Sequence, residues 1–116
     1  MLSKEEILGT TDLTTEEVRV PEWNGTVYVR TLSGTERDSF EQSIIDSKKD
    51  GDADLVNVRA RLAVRVVCDQ EGSRLFTDAD AEALGKKSSK VLDRIFTVAQ
   101  RLNGIGQKDV EELQKN

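Results

Sequence analysis

Apolar and polar residues alternate in two runs near the amino terminus. Val18 and Val20 flank Arg19, and Val27 and Val29 alternate with Thr26, Tyr28 and Arg30. Two such runs on either side of Asn24-Gly25 predict a β-hairpin. Pro21 ends the first strand, because proline has no N–H to give to a ladder. A connection of about five residues admits a two-residue Asn-Gly turn beside a corner that carries Trp23. Asp12 to Glu17 reads as loop. Two strands alone are marginal in water, so the hairpin needs helices or another chain to pack on.

Elsewhere the period is helical. Leu55, Val58, Leu62 and Val66, with Ala63 and Val67 beside them, predict a central helix from Ala53 to Val67. Val91, Leu92, Ile95, Phe96, Val98, Ala99 and Leu102 form a wide apolar stripe on a last long helix, capped by Ser88 or Ser89 and stopped at Asn103-Gly104. Phe40, Ile44 and Ile45 mark a helix from Ser33 to Lys48. Ser3 with Glu6, Ser33 with Glu36, and Thr77 with Asp80 have the spacing of capping boxes. In these the hydroxyl accepts from a first-turn N–H and the carboxylate reaches back to the cap. The first box opens a short helix with an apolar end at Ile7 and Leu8, stopped by Gly9. The third opens a short helix to Leu84, which Gly85 is expected to end in the left-handed conformation. Val66–Cys68 and Arg74–Phe76 fit a small second hairpin around Glu71-Gly72. Lys49, Asp50, Gly51 and Asp52 are a polar break. They lack the loop pattern of a calcium site, so the expectation is a solvated loop. A short polar helix is expected at about 107–114. The chain shows no internal repeat and no low-complexity linker. The expected architecture is α+β: one mostly α-helical domain over residues 1–116 with an N-terminal β-hairpin.

Composition narrows the chemistry. There is no His, so Ser-His-Asp and Cys-His constellations and His-containing zinc sites are excluded. The single Cys builds neither an internal disulfide nor a four-thiolate site. No apolar run reaches the roughly 18 residues that a membrane span needs. Met1-Leu2-Ser3-Lys4-Glu5-Glu6 lacks a basic-then-apolar leader. With charged residues at 34% of the chain and a net charge of −5, these exclusions together leave an acidic, soluble, intracellular, non-enzymatic domain with no cofactor as the expectation.

Three groups of residues are candidates for partner binding. Lys87, Lys90, Arg94 and Arg101 share one stripe of the last long helix, with Lys86 adjacent. The stripe is either a basic face for an acidic partner or the solvated side of an amphipathic helix. No aromatic residue interleaves it, which argues against nucleic acid. Arg61 and Arg65, one turn apart, either reach acids of a neighbouring subunit or pair within the domain. Trp23 and Tyr28, two of five aromatics, either anchor an interface or close the hairpin on a helix. Cys68 has no flanking cation to make it a thiolate and reads as a small apolar residue. Asp78 and Asp80 read as helix-start carboxylates.

Several segments together resemble a known family. Val20-Pro21-Glu22-Trp23-Asn24-Gly25 leads into Val27-Tyr28-Val29-Arg30-Thr31-Leu32-Ser33-Gly34-Thr35-Glu36-Arg37-Asp38. Later come Val67-Cys68-Asp69, Gly72-Ser73-Arg74-Leu75-Phe76-Thr77-Asp78, Leu84-Gly85 and Ala99-Gln100-Arg101-Leu102-Asn103-Gly104. From Ser3 to Glu112 this order resembles the tail assembly chaperones of long-tailed bacteriophages and prophages. The resemblance implies a protein that coats the helical tape measure protein, keeps it soluble and is displaced as tail tube subunits arrive, so that it is absent from the mature virion. It implies homo-oligomers in the host bacterial cytoplasm and no catalytic motif. It also implies a programmed ribosomal frameshift near the gene's end. Codons CAA-AAA-AAC for Gln114-Lys115-Asn116 would contain the heptamer A-AAA-AAC, and CAG or AAG there would remove it. On this reading the hairpin aromatics and the basic stripe are the expected partner-binding residues. The rival readings are a head–tail connector or minor tail protein retained in the virion, and a small regulatory nucleic-acid-binding domain.

Overall fold

The computed structural model describes residues 1–49, 57–106, 108, 109 and 112. Helix α1 spans Lys4–Gly9. Its capping box is formed: the Glu6 N–H donates to Ser3 Oγ (3.1 Å) and the Ser3 N–H donates to Glu6 Oε1 (3.1 Å). The hairpin follows as β1 (Thr15–Val20) and β2 (Gly25–Arg30), antiparallel, with Val18 opposite Val27 and Val20 opposite Gly25. β1 starts earlier than the pattern suggested, since Asp12–Glu17 was expected as loop. The ladder is closed at that end by Thr14 and Thr31. The Thr31 N–H donates to the Thr14 carbonyl (2.9 Å), and the Thr14 N–H donates to Thr31 Oγ1 (3.1 Å).

The hairpin turn also differs from a two-residue Asn-Gly loop. Proline sets φ for a helical first residue, and Pro21–Trp23 form one 3₁₀ turn that Asn24 closes at φ 55°. The Asn24 N–H donates to the Pro21 carbonyl (2.9 Å). This 3₁₀ corner brings Trp23 onto the edge of the core.

Helix α2 (Gly34–Lys49) opens on the second capping box, with the Ser33 N–H on Glu36 Oε1 (2.9 Å) and the Glu36 N–H on Ser33 Oγ (3.2 Å). Glu36 also pairs with the buried Arg30 of β2. The expected break at Asp50–Asp52 and the expected helix start at Ala53 lie outside the described residues. Helix α3 is described as Val58–Val66, behind Asn57 at φ 59°. A helix running unbroken from Ala53 is therefore corrected at Asn57, whose left-handed backbone does not belong to a right-handed helix. Most of α3 is buried, as befits a central helix: its valines, leucine and alanines and the Arg65 side chain are covered, and Arg59 alone is exposed.

Val67 leaves the helix and forms β3 with Cys68. β3 pairs antiparallel with β2 (Tyr28 opposite Cys68, Val29 opposite Val67), giving the order β1-β2-β3. The expected second hairpin exists in miniature. Cys68 bridges Arg74, and the Leu75 N–H donates to the Val67 carbonyl (3.2 Å).

A 3₁₀ turn (Asp78–Asp80) runs into α4 (Ala81–Leu84), and α5 spans Ser89–Asn103. Gly85 was expected in the left-handed region but has φ −61° and ψ −17°. Its need for glycine is one of space: a Cβ there would lie 2.3 Å from Asn57 Oδ1. Gly104 does end α5 left-handed (φ 63°), and the Ile105 N–H donates back to the Gln100 carbonyl (3.1 Å). In the expected helix at 107–114, Lys108, Asp109 and Glu112 are helical, and the rest lies outside the described residues.

The core is one cluster. Phe40 and Ile44 of α2, Leu62 and Val66 of α3, and Val91, Ile95 and Ala99 of α5 close over Val20 and Val29 of the sheet. The far end of α5 is tied to the β2–α2 junction. Asn103 Oδ1 accepts from the Leu32 N–H (2.6 Å), and the Asn103 carbonyl accepts from Arg37 (2.9 Å). The result is the α+β domain that the pattern predicted, with the first strand of the expected second hairpin joined to β2 in one three-stranded antiparallel sheet.

Candidate functional site

Trp23 overhangs an open apolar trough of about 390 Å³. Trp23, Phe76, Ala83 and Leu84 supply its apolar lining, and Asp80 and Lys87 supply a charge of each sign. Four pieces of chain meet there: the hairpin corner, the strap after β3, helix α4, and the link from α4 to α5.

Each piece is held by its own contacts. The corner is clamped to α5 by Glu22, whose two carboxylate oxygens accept from Arg94 Nη1 and Nη2 at 2.8 Å each. Those hydrogen bonds, with the nearby Lys90 charge adding to them, hold the Glu22 carboxyl at a pKa of about 2, against an ordinary value of 4.5. Arg94 rises in turn through the same bonds. The strap is pinned by Arg74, which donates to the Val64 carbonyl (Nε 3.1 Å, Nη2 2.8 Å) and to Asp78 Oδ1 (2.8 Å). Asp80 accepts from the Thr77 N–H (2.8 Å), which fixes the entry to α4. Leu84 is buried and anchors the floor.

Among the described residues, the trough's lining brings together no nucleophile with a base. Among the described residues no group of three or more His, Cys, Asp and Glu side chains could hold a metal. What the trough can do is take up one or two apolar side chains from a helix or peptide, with polar ends for Lys87 and Asp80 to meet.

The predicted residues divide. Trp23 and Lys87 come together in the trough. Lys90 is exposed one helical turn further along. Arg94 and Arg101 do not form a free basic face, since Arg94 is engaged by Glu22 and Arg101 pairs with Glu16 of β1. Tyr28 lies half-buried at the centre of the sheet, opposite Glu17 and Cys68, away from the trough.

Arg61 and Arg65 are likewise satisfied internally. Arg61 donates to Ser47 Oγ (2.7 Å) and the Ser43 carbonyl (3.2 Å). Arg65 donates to Ser39 Oγ (Nη2, 3.1 Å) and the Arg61 carbonyl (2.6 Å), and sits 3.3 Å from Asp78. Burial pushes the Arg65 pKa down and Asp78 pushes it back up. Asp78 is thus a counter-ion as well as a helix-start residue. Cys68 is buried, and desolvation raises its thiol pKa, as suits an inert core residue.

Phe76, Ala83 and Leu84 were not expected at the site. Phe76 is an isolated aromatic in a polar strap, with no periodicity to mark it. Ala83 and Leu84 read as helix residues with no signal of what they face.

No helix of the described residues is long and apolar enough to cross a membrane. No curated protein sequence matches the chain. The solved structure of the bacteriophage HK97 tail assembly chaperone shares the fold, with a TM-score of 0.59 and 24% identity, covering 78% of this chain and 85% of that one. A family model described as phage tail assembly chaperone matches residues 10–116, which takes in the whole sheet, the helices around the core and every residue of the trough. The chain belongs to the phage tail assembly chaperone family.

Proposed function

We propose that the chain binds the tape measure protein of its phage through the Trp23 trough and keeps that long helical protein soluble. On this reading it helps to recruit tail tube subunits, is displaced as they arrive, and is absent from the mature virion. It acts in the host cytoplasm, self-associates, and does so by binding alone, without catalysis. The observation that carries this reading is the trough itself: an open apolar recess with one charge of each sign, in a member of a chaperone family. Amphipathic helices are taken up by such recesses through apolar anchors one turn apart. The engagement of Arg94 and Arg101 by glutamates removes two cations from any nucleic-acid surface, which further disfavours the regulatory reading.

The test is a trough variant. Ala83 lines the trough and is exposed, so Ala83→Glu places a charge among the apolar anchors without opening the core. Capture of the tape measure protein is expected to fall at least about tenfold, the effect of losing one central anchor. Lys90→Glu, outside the trough, is expected to leave capture within about threefold, in keeping with a rim position. A folded Ala83→Glu protein that captures the client like the wild type would remove the trough from the account. Finding the chain in purified virions would turn the reading toward a retained tail component.

A further inference from the structure

Helix α1 packs on no other element among the described residues. Every residue from Met1 to Asp12 is exposed, and none of α1 is buried. Yet the helix is built with care. Besides its capping box, Leu2 and Ile7 occupy the two positions of a hydrophobic staple. Leu2, Ile7 and Leu8 are 65%, 56% and 74% exposed. A six-residue helix is far below the length that is stable alone in water, and the apolar side chains of Ile7 and Leu8 on it, with Leu2 just ahead of its cap, need a surface. α1 also precedes the residues that match the family model.

The same chain carries an apolar surface left open by the described residues, the Trp23 trough. Its own α1 falls short of it. Thr14 is pinned to Thr31 at the far end of the hairpin, and the trough lies beyond Val20, about 20 Å away at the rise of a strand. The segment from Gly9 to Thr14 spans at most about 18 Å fully stretched, and α1 stands exposed rather than on the trough. A second copy has no such limit. Charge agrees on both signs: α1 carries Lys4 as well as Glu5 and Glu6, and the trough offers Asp80 as well as Lys87, with Lys86 beside it.

We propose that α1 of one copy docks through Ile7 and Leu8 into the Trp23 trough of a second copy, and that this arm holds the trough until a client helix displaces it. The displacement rests on the tape-measure reading above; the docking does not. The contact is heterologous, arm to trough, so each copy both gives and receives, and assembly is open-ended unless the rotation closes a ring.

Complementation tests this in the full chain. Ile7→Glu with Leu8→Glu spoils the arm, and Ala83→Glu spoils the trough, all at exposed positions. In sedimentation equilibrium the wild type is expected to exceed the 12.9 kDa monomer with a mass that rises with concentration. Each variant alone is expected to be monomeric. Mixed in equal amounts they should form a one-to-one dimer and nothing larger, since one sound arm and one sound trough remain. Trp23 is the single tryptophan, so its emission should be shifted to the blue in the wild-type oligomer and in the mixture, but not in either variant alone. A wild type that stays monomeric at every concentration, an arm variant with wild-type mass, or a mixture that stays monomeric overturns the proposal.

Capture of the tape measure protein is read separately. Capture lost in Ala83→Glu and kept in the arm variant supports the client reading, whatever the masses show. Capture unchanged in both removes that reading, and the arm is then judged on the masses alone.

Discussion

Asn57 and Gly85 make one joint. Asn57 takes the left-handed backbone ahead of α3, and its amide fills the space where a side chain on Gly85 would stand. Gly85→Ala is therefore expected to destabilise the fold by about 1 kcal/mol, the low end of overpacking costs. In an Asn57→Gly background the amide is gone and the left-handed backbone is still allowed, so the same substitution should become neutral. Urea denaturation of the four proteins of that cycle measures the coupling; additive effects would mean the amide moves aside freely. Glu22 offers a second reading at this scale. Its carboxyl is held down by Arg94 at about 2, against 4.5 ordinarily. A depressed acid stabilises the folded state above its unfolded pKa and loses that stabilisation as pH falls toward the folded one. The thermal midpoints of wild type and Glu22→Gln should differ above pH 4.5 and converge as pH approaches 2. A constant gap across that range would show that the Glu22–Arg94 clamp is not what the substitution removes.

Between elements, polar residues do the fastening. Asp78 holds three partners from three places: Ser39 of α2, Arg65 of α3 and Arg74 of the strap. The Arg65 side chain is 5% exposed and that of Asp78 is 51% exposed. Removing the carboxylate leaves a buried guanidinium without its counter-charge, but water reaches the site, so Asp78→Asn should cost about 1–2 kcal/mol rather than the full penalty of a dry pair. An unchanged urea midpoint would assign the Arg65 charge to Ser39 and the Arg61 carbonyl alone. Elements like these differ in how well the sequence announces them. The boxes at Ser3, Ser33 and Thr77 were legible because both partners lie three residues apart. The hairpin and α5 were legible because their periods are unbroken, alternate residues around Asn24-Gly25 in the one and a helical stripe over about twelve residues in the other. β3 was half legible: Val66–Cys68 suggested a strand, but its pairing with Tyr28 and Val29 is set by a ladder across some forty residues, which no local pattern encodes. Val67 reads as the last turn of a helix until that ladder takes it.

At the scale of the whole molecule, a helical body carries a sheet on one side, a trough at the hairpin corner and a capped apolar arm at the amino terminus. Trp23 and Lys87 of the trough were legible singly, as an aromatic in a turn and a cation near a helix start. Their convergence with Phe76, Ala83 and Leu84 was not, because four separate segments build the recess. The basic stripe misled for a physical reason: its spacing is real, but β1 and the hairpin corner lay Glu16 and Glu22 against it. Membership of the tail assembly chaperone family fixes the class of work; the client and its docking place are the account's central claim. The measurement that tests it most directly is co-expression of this chain with the tape measure protein of the same genome, wild type beside Ala83→Glu, followed by solubility and affinity capture. A soluble, co-purifying tape measure protein is expected with the wild type and an insoluble or uncaptured one with the variant. A tape measure protein that stays insoluble and uncaptured with the wild type, or is held equally well by both, would contradict that claim.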